Sequence, residues 1–197
     1  MTAEELSARL SRPGLFAGLP AIPRDDLALP PGAVIKPAAV LVALVLREEE
    51  PGVLLTQRAS HLSNHAGQVS FPGGRIELGE TPEQAAVREA HEEVALDPSL
   101  PRILGRMPKY LTGTGFEITP VIASLRPGFH LAPDPSEVAS AFELPLSTLL
   151  DPLAPRRERA EFRGRMREFW VWPHGEHYIW GATAAILVNL ANALRGG

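Results

Sequence analysis

The sequence predicts an α+β fold, because several strands of mixed character surround one central helix and precede one C-terminal helix. The apolar run Ala38–Leu46 predicts a fully buried strand. Helical patterns are expected at about residues 82–95 and at Trp180–Leu194. Strands that do not alternate regularly with helices are typical of α+β proteins and not of repeated βαβ units.

The remaining elements follow from apolar patterns and turn residues. A short amphipathic helix at residues 3–10 precedes a Pro- and Gly-rich arm, which predicts an N-terminal segment 1–35 and a main domain 36–197. A helical turn is expected near 146–151. The strand that begins at Val69–Phe71 is expected to be cut by Pro72-Gly73-Gly74. Further strands are expected at Val53–Arg58, Ile103–Met107, Phe116–Leu125 and Glu137–Leu144, with a pair around Gly164 in Arg159–Trp172.

Composition narrows the class of protein. The 197 residues suit one domain with a hydrophobic core. The sequence has no cysteine, which excludes disulfides and thiolate metal sites and fits a cytoplasmic location. A net charge of −4 argues against a protein that grips a nucleic-acid polymer. We therefore expect a small nucleotide as the partner, and neither a nucleic acid nor a membrane.

The helix at about 82–95 has a well-specified start and an unusual acidic face. Thr81 is the expected N-cap, and Gln84 completes a capping box. Glu89, Glu92 and Glu93 lie three and four residues apart, so they are expected to share one face of the helix, where like charges repel. One explanation is a solvated acidic face. The other is a divalent cation, since Mg²⁺ prefers carboxylate oxygens.

The segment before this helix favours the cation. The pair Gly73-Gly74 precedes it, and glycine lets a backbone approach a phosphate or a metal closely. At this point the sequence resembles the Nudix hydrolase family. One position departs from the family pattern: Ala95 stands where the family has a helix-ending glycine, which eases a left-handed turn. The residues that match the Nudix box are Gly74, Glu80, Arg88, Glu89, Glu92 and Glu93.

The resemblance implies an α/β/α sandwich with a mixed sheet between helices, and a hydrolase of nucleoside-diphosphate derivatives that uses Mg²⁺ or Mn²⁺. In the family the first and last glutamates of the conserved run bind the metal, with the middle one as a third ligand or the base. Glu80 and Arg88 are expected to form a structural ion pair. The expected metal ligands are thus Glu89, Glu93, Glu92 and the Gly73 carbonyl.

The stretch Leu54–Gly74 resembles the signature that precedes this box in coenzyme A pyrophosphatases. Ser63 departs from it, because the family has an arginine there. Arg58 is expected either to bind phosphate through its planar fork or to pair with a box glutamate. His65 can donate to a phosphate or remain a solvated loop side chain. The backbone of Gly73 and Gly74 is expected to contact the substrate.

The expected reaction is hydrolysis of the pyrophosphate of coenzyme A or its derivatives, giving 3′,5′-ADP and 4′-phosphopantetheine. The general base is Glu137, which lies outside the box, or Glu92. The adenine is expected to stack on one of Phe169, Trp170 and Trp172, and at least two of these three are expected to pack in the core instead. Two alternatives remain open: a pyrophosphatase for ADP-ribose or another nucleoside-diphosphate derivative, and a non-catalytic module that binds a nucleotide.

Overall fold

The computed structural model describes residues 1–16, 18–21, 32–62, 66–162 and 165–196. It has four helices and eleven strands within these ranges. In chain order they are α1 (Ala3–Leu10), β1 (Lys36–Val45), β2 (Gly52–Arg58), β3 (Val69–Ser70), β4 (Gly73–Arg75), α2 (Pro82–Val94), β5 (Arg102–Arg106), β6 (Tyr110–Leu111), β7 (Phe116–Leu125), β8 (Val138–Pro145), α3 (Leu146–Leu150), β9 (Arg156–Phe162), β10 (Arg165–His174), β11 (His177–Trp180) and α4 (Gly181–Arg195).

Eight strands form one mixed sheet. Its central order is β3-β2-β1-β7-β5, while β8 pairs with β2, β4 with β1, and β6 with β7. The strands β1 and β7 run parallel along their whole length, and the other pairs are antiparallel. This confirms the predicted mixed sheet in an α+β fold.

Strand β1 is apolar along most of its length because helices pack on both faces of the sheet at this strand. Leu41 and Ala43 belong to an apolar cluster with Ala86 and Ala90 of α2. On the opposite face, Val42 belongs to a cluster that includes buried residues of α4 and α1. A strand buried on both faces is apolar at successive positions instead of alternating ones. The result is the three-layer sandwich that the family resemblance implied.

The N-terminal helix α1 packs into the core of the main sheet. Leu6 is fully buried there, and the guanidinium of Arg9 donates to the carbonyl of Leu194 in α4. The division at residue 35 remains a prediction, and part of the arm, residues 17 and 22–31, lies outside the described residues. Within the described part of the chain, no helix combines the length and apolarity needed to cross a membrane.

Several boundaries differ from the sequence prediction. The Gly73-Gly74 pair does not simply end a strand, because it forms β4, which pairs with residues 38–40 of β1. The strands β6 and β11 were not predicted. The strand β11 completes a separate three-stranded sheet with β10 and β9. These short segments have little apolar pattern of their own, so their strand conformation depends on pairing with neighbours.

The ends of α2 follow local rules. Thr81 accepts a hydrogen bond from the Gln84 amide, and the Gln84 side chain accepts one from the Thr81 amide, which confirms the capping box. At the other end Ala95 adopts the left-handed conformation, with φ of 55° and ψ of 29°. It is the non-glycine residue with positive φ in the described ranges. The family's glycine position therefore keeps its backbone geometry here.

We expect Ala95→Gly to stabilise the protein by about 1 kcal/mol, because glycine removes the steric cost of the left-handed conformation. The measurement is the free energy of unfolding in urea. Ala8→Gly is the matched control: it places glycine inside an exposed stretch of helix and should cost about 1 kcal/mol. Equal losses for both variants would contradict the assigned conformation of Ala95.

Candidate active site

The glutamates of helix α2 differ in their exposure to solvent although they are close in sequence. Glu89 and Glu93 are one turn apart, and their side chains are 17% and 4% exposed. Glu92 is 57% exposed and faces solvent. Residues four apart lie on one face of a helix, whereas adjacent residues do not. The helix therefore turns two of the three acids toward the sheet.

Glu89 and Glu93 meet the glycine pair of β4. The Gly73 amide donates to Oε2 of Glu93 over 3.3 Å. A Cβ on Gly74 would overlap the carboxylate of Glu89, and one on Gly73 would overlap the carbonyl of Ala39. The close approach of helix, strand β4 and strand β1 thus requires residues without a side chain at both positions.

Arg88 is the cation at the centre of the acidic cluster. Its guanidinium makes two hydrogen bonds to Glu80, of 2.7 and 3.0 Å. It also donates to Glu89 at 3.1 Å, to Glu92 at 2.9 Å, and to the carbonyl of Arg75 at 3.0 Å. The hydrogen bonds that Arg88 donates to Glu80 are the main reason that the pKa of Arg88 is raised. The predicted Glu80–Arg88 contact is present and ties the loop before α2 to the helix.

Burial opposes the ionisation of the two inward glutamates. Burial raises the pKa of Glu93 to about 8, against the opposing effect of the Gly73 amide. Burial also raises the pKa of Glu89, although Arg88 opposes the shift. The negative charge of Glu137 acts in the same direction as burial on both carboxyls. These groups therefore form one electrostatically coupled cluster.

Two residues from outside the box lie beside this cluster. Arg58, at the end of β2, has Nη1 3.9 Å from Oε1 of Glu93, which is a loose ion pair. Glu137 immediately precedes β8, and its carbonyl accepts the amide of Ala59 over 2.9 Å. The pairing of β2 with β8 thus brings Arg58 and Glu137 together across 79 positions of sequence. The expected contributor His65 lies outside the described residues, as does Ser63, which stands where the family has an arginine.

The donor chemistry of the cluster suits a hard divalent cation. Carboxylate oxygens, together with main-chain carbonyls, are the ligands that Mg²⁺ and Mn²⁺ prefer. In the ranges that the structure covers, no three Asp, Glu, His or Cys side chains are already grouped as a metal site. Glu89 and Glu92 contact Arg88 instead, and Glu93 contacts the Gly73 amide. The residue types fit a cation, and these side chains must reorient to share one.

A cleft of about 860 Å³ opens beside the glutamates. Arg58, Gly73 and Gly74 line it, and these are the residues that contact Glu93 and Glu89. The rest of the cleft lies over the sheet face opposite α2 and is mostly apolar. Its walls include Val40, Ile118, Phe169, Tyr178, Trp180 and Ile186.

The aromatic residues of the cleft are only partly those expected. Phe169 lines the cleft and packs edge-to-face on Trp180, with ring centroids 5.6 Å apart. Trp172 is fully buried, Trp170 stacks under the guanidinium of Arg157 at 4.8 Å, and neither of them lines the cleft. Trp180 was missed because it was assigned to the start of the C-terminal helix, whereas it is the last residue of β11. The short segment of β11 carries no clear strand pattern, so no sequence signal indicated this position.

Comparison with known proteins identifies relatives over most of the chain. A sequence model of the NUDIX domain matches residues 35–170. A protein named "Uncharacterized Nudix hydrolase NudL" from Enterobacter sp. (strain 638) is 43% identical over 155 residues, covering 78% of this chain and 80% of the relative. The protein of the same name from Escherichia coli O7:K1 is 40% identical over 160 residues, with the same shares covered.

A solved structure supports the fold. The MutT/nudix family protein from Enterococcus faecalis is 16% identical and superposes with a TM-score of 0.56, covering 86% of this chain and 65% of that chain. At this level of identity the similarity concerns the architecture alone.

We expect Glu93→Gln to become more stable relative to the wild type as pH rises from about 5 to about 8 in the presence of a chelator. The folded-state pKa of about 8 exceeds the ordinary value of 4.5, so the folded protein retains a proton that the unfolded chain has lost. Wild-type stability should therefore fall with pH in this window, by at most about 1.4 kcal/mol per pH unit. Urea unfolding at a series of pH values measures it.

Glu80→Gln is the control, because its effect on the free energy of unfolding near neutral pH should be opposite to that of Glu93→Gln. Hydrogen bonds from Arg88 lower the pKa of Glu80, so its charge stabilises the folded state near neutral pH. Its replacement should lower stability there. Parallel stability curves for the wild type and Glu93→Gln between pH 5 and 8 would refute the buried, proton-retaining state of Glu93.

Proposed function

Because the chain belongs to the NUDIX domain family and is a Nudix hydrolase that cleaves pyrophosphate bonds, we propose that its substrate is coenzyme A or a derivative. The products are 3′,5′-ADP and 4′-phosphopantetheine. Nudix hydrolases generally use divalent metal ions, and we propose Mg²⁺ or Mn²⁺ for this protein.

One observation carries the proposal: the apolar cleft opens on to the acidic cluster at Gly73 and Gly74. A ligand that fills it must join a diphosphate to an extended, largely uncharged arm. Coenzyme A has this form, because its pantetheine arm follows the diphosphate. A cleft of about 860 Å³ is within the usual range for small-molecule sites, roughly 300–1,000 Å³. The resemblance of Leu54–Gly74 to the coenzyme A pyrophosphatase signature points to the same substrate.

Glu89 and Glu93 would hold the metal, joined by Glu92 and the carbonyl of Gly73. When bound, such an ion neutralises phosphate charge and lowers the pKa of a water molecule. The chain would supply carboxylates that give up their protons when a cation binds. Arg88 keeps these acids together before the ion binds, because it contacts Glu89 and Glu92 at once.

The hydrolysis consumes one water molecule. The water oxygen forms a bond to phosphorus, and the bond between that phosphorus and the bridging oxygen breaks. Both products leave as phosphate monoesters, and the proton released by the water passes to a carboxylate. Arg58 lies at the cleft wall beside Glu93, where its planar guanidinium can hold two phosphate oxygens.

We assign the general base to Glu137 in preference to Glu92. Glu92 already accepts a hydrogen bond from Arg88 at 2.9 Å, and its side chain is exposed to solvent. Glu137 makes no ion pair with any described residue, and its charge acts on both Glu89 and Glu93. Its carboxylate is thus beside the cluster and free to accept a proton.

Incubation with coenzyme A and Mg²⁺, followed by mass spectrometry, tests the function. We expect 3′,5′-ADP and 4′-phosphopantetheine, and no products when a chelator replaces the metal. ADP-ribose and a dinucleoside polyphosphate are assayed in parallel. Cleavage of either with at least tenfold higher kcat/KM than coenzyme A would overturn the substrate assignment. Glu93→Gln should lose most turnover while still binding coenzyme A.

We expect Glu137→Gln to lower kcat by about 100-fold or more, the usual contribution of a general base. Glu92→Gln should lower kcat less and should raise the metal concentration needed for half-maximal activity. The measurement is a metal titration of initial rate for each variant at saturating substrate. A large kcat loss in Glu92→Gln together with near-normal kcat in Glu137→Gln would reverse the assignment.

A further inference from the structure

Two cations flank one aromatic ring at the edge of the cleft. Nζ of Lys36 lies 5.6 Å from the ring centroid of Phe116, and Cζ of Arg75 lies 5.7 Å from the same centroid. Both distances are within the range of cation–π attraction. We call these three residues the Phe116 cluster. It lies outside the acidic cluster and outside the residues so far given a role.

Strand pairing explains why these residues meet. Lys36 pairs with Phe116 at the start of the parallel β1–β7 ladder, and Arg75 pairs with Ala38 of β1. Paired residues project from the same face of a sheet, and alternate residues of a strand share a face. Ala38 lines the cleft, as do Arg75 and Phe116 themselves. The cluster therefore faces the cleft.

The charge of the cluster is not balanced by neighbouring acids. Lys36 and Arg75 make no ion pair with any residue in the described ranges, whereas the nearby Lys109 pairs with Glu117 at 2.6 Å. The negative face of the Phe116 ring attracts both cations, but it does not cancel their mutual repulsion. An anion bound at this edge of the cleft would offset the positive charge, and charge-assisted hydrogen bonds to phosphate are stronger than neutral ones.

We propose that Lys36 and Arg75 bind a phosphate monoester of the substrate that is separate from the pyrophosphate being cut. This assignment rests on the proposed function, in which that group is the 3′-phosphate of coenzyme A. The 3′-phosphate and the 5′-diphosphate are attached to one ribose, so their sites must be close. Arg75 directly follows Gly74, which contacts Glu89 of the acidic cluster. The Phe116 cluster thereby selects substrates that carry the extra phosphate.

The kinetic test compares coenzyme A with 3′-dephospho-coenzyme A. For the wild type we expect kcat/KM to be at least about tenfold higher for coenzyme A, as one or two charge-assisted hydrogen bonds imply. The double variant Lys36→Ala/Arg75→Ala should bring this ratio close to one. Lys109→Ala, which removes a paired surface cation, should keep the wild-type ratio. A wild-type ratio near one, or an unchanged ratio in the double variant, overturns the subsite.

A binding test separates this proposal from the proposed function. Isothermal titration calorimetry with 3′,5′-ADP and with AMP needs no turnover. If coenzyme A is not cleaved but 3′,5′-ADP binds at least tenfold more tightly than AMP, and only the double variant loses this preference, the function is wrong and the subsite stands. If coenzyme A is cleaved and the two nucleotides bind equally well, the subsite is wrong and the function stands. Both cations are exposed, so the double variant should keep the wild-type urea midpoint.

Discussion

The contact between the glutamates of α2 and the glycine pair of β4 is the constraint on which the site depends. Glu93 is almost fully buried against the Gly73 amide, and the Glu89 carboxylate lies where a Gly74 side chain would be. Burying two carboxylates so close together opposes their ionisation. The arrangement persists because the helix beneath them is capped, is packed on the sheet and is tied to its preceding loop by Arg88.

The two faces of the main sheet carry different parts of the candidate site. The face under α2 carries the acids, and the opposite face carries the cleft. The strand β4 borders both parts of the site, because its glycines line the cleft and contact the glutamates. A ligand in the cleft can therefore reach the acids without a gap in the hydrophobic core. The separate sheet β9–β11 supplies the aromatic outer wall, and the start of α4 adds non-aromatic lining residues.

Local sequence rules accounted for the elements that have strong patterns of their own. The continuous apolar run of β1, the Thr81–Gln84 box of α2 and the left-handed geometry at Ala95 each depend on residues within one element. The acidic face of α2 was predicted less well, because Glu89, Glu92 and Glu93 were expected to share one face, whereas Glu92 is exposed and the other two are turned toward the sheet. The metal ligands Glu89, Glu93, Glu92 and Gly73 remain predictions, as do the roles of Arg58, Gly74 and Glu137.

The sequence by itself determined the acidic helix, the glycine pair before it and the family to which both point, because these signals lie within about 25 consecutive residues. Only the tertiary structure decided which distant residues join them. Strand pairing placed Glu137 beside Arg58, and it placed Lys36, Arg75 and Phe116 on one face. It also put Trp180 in the cleft and Trp172 in the core. Register between strands sets these contacts, and register depends on partners far away in the chain.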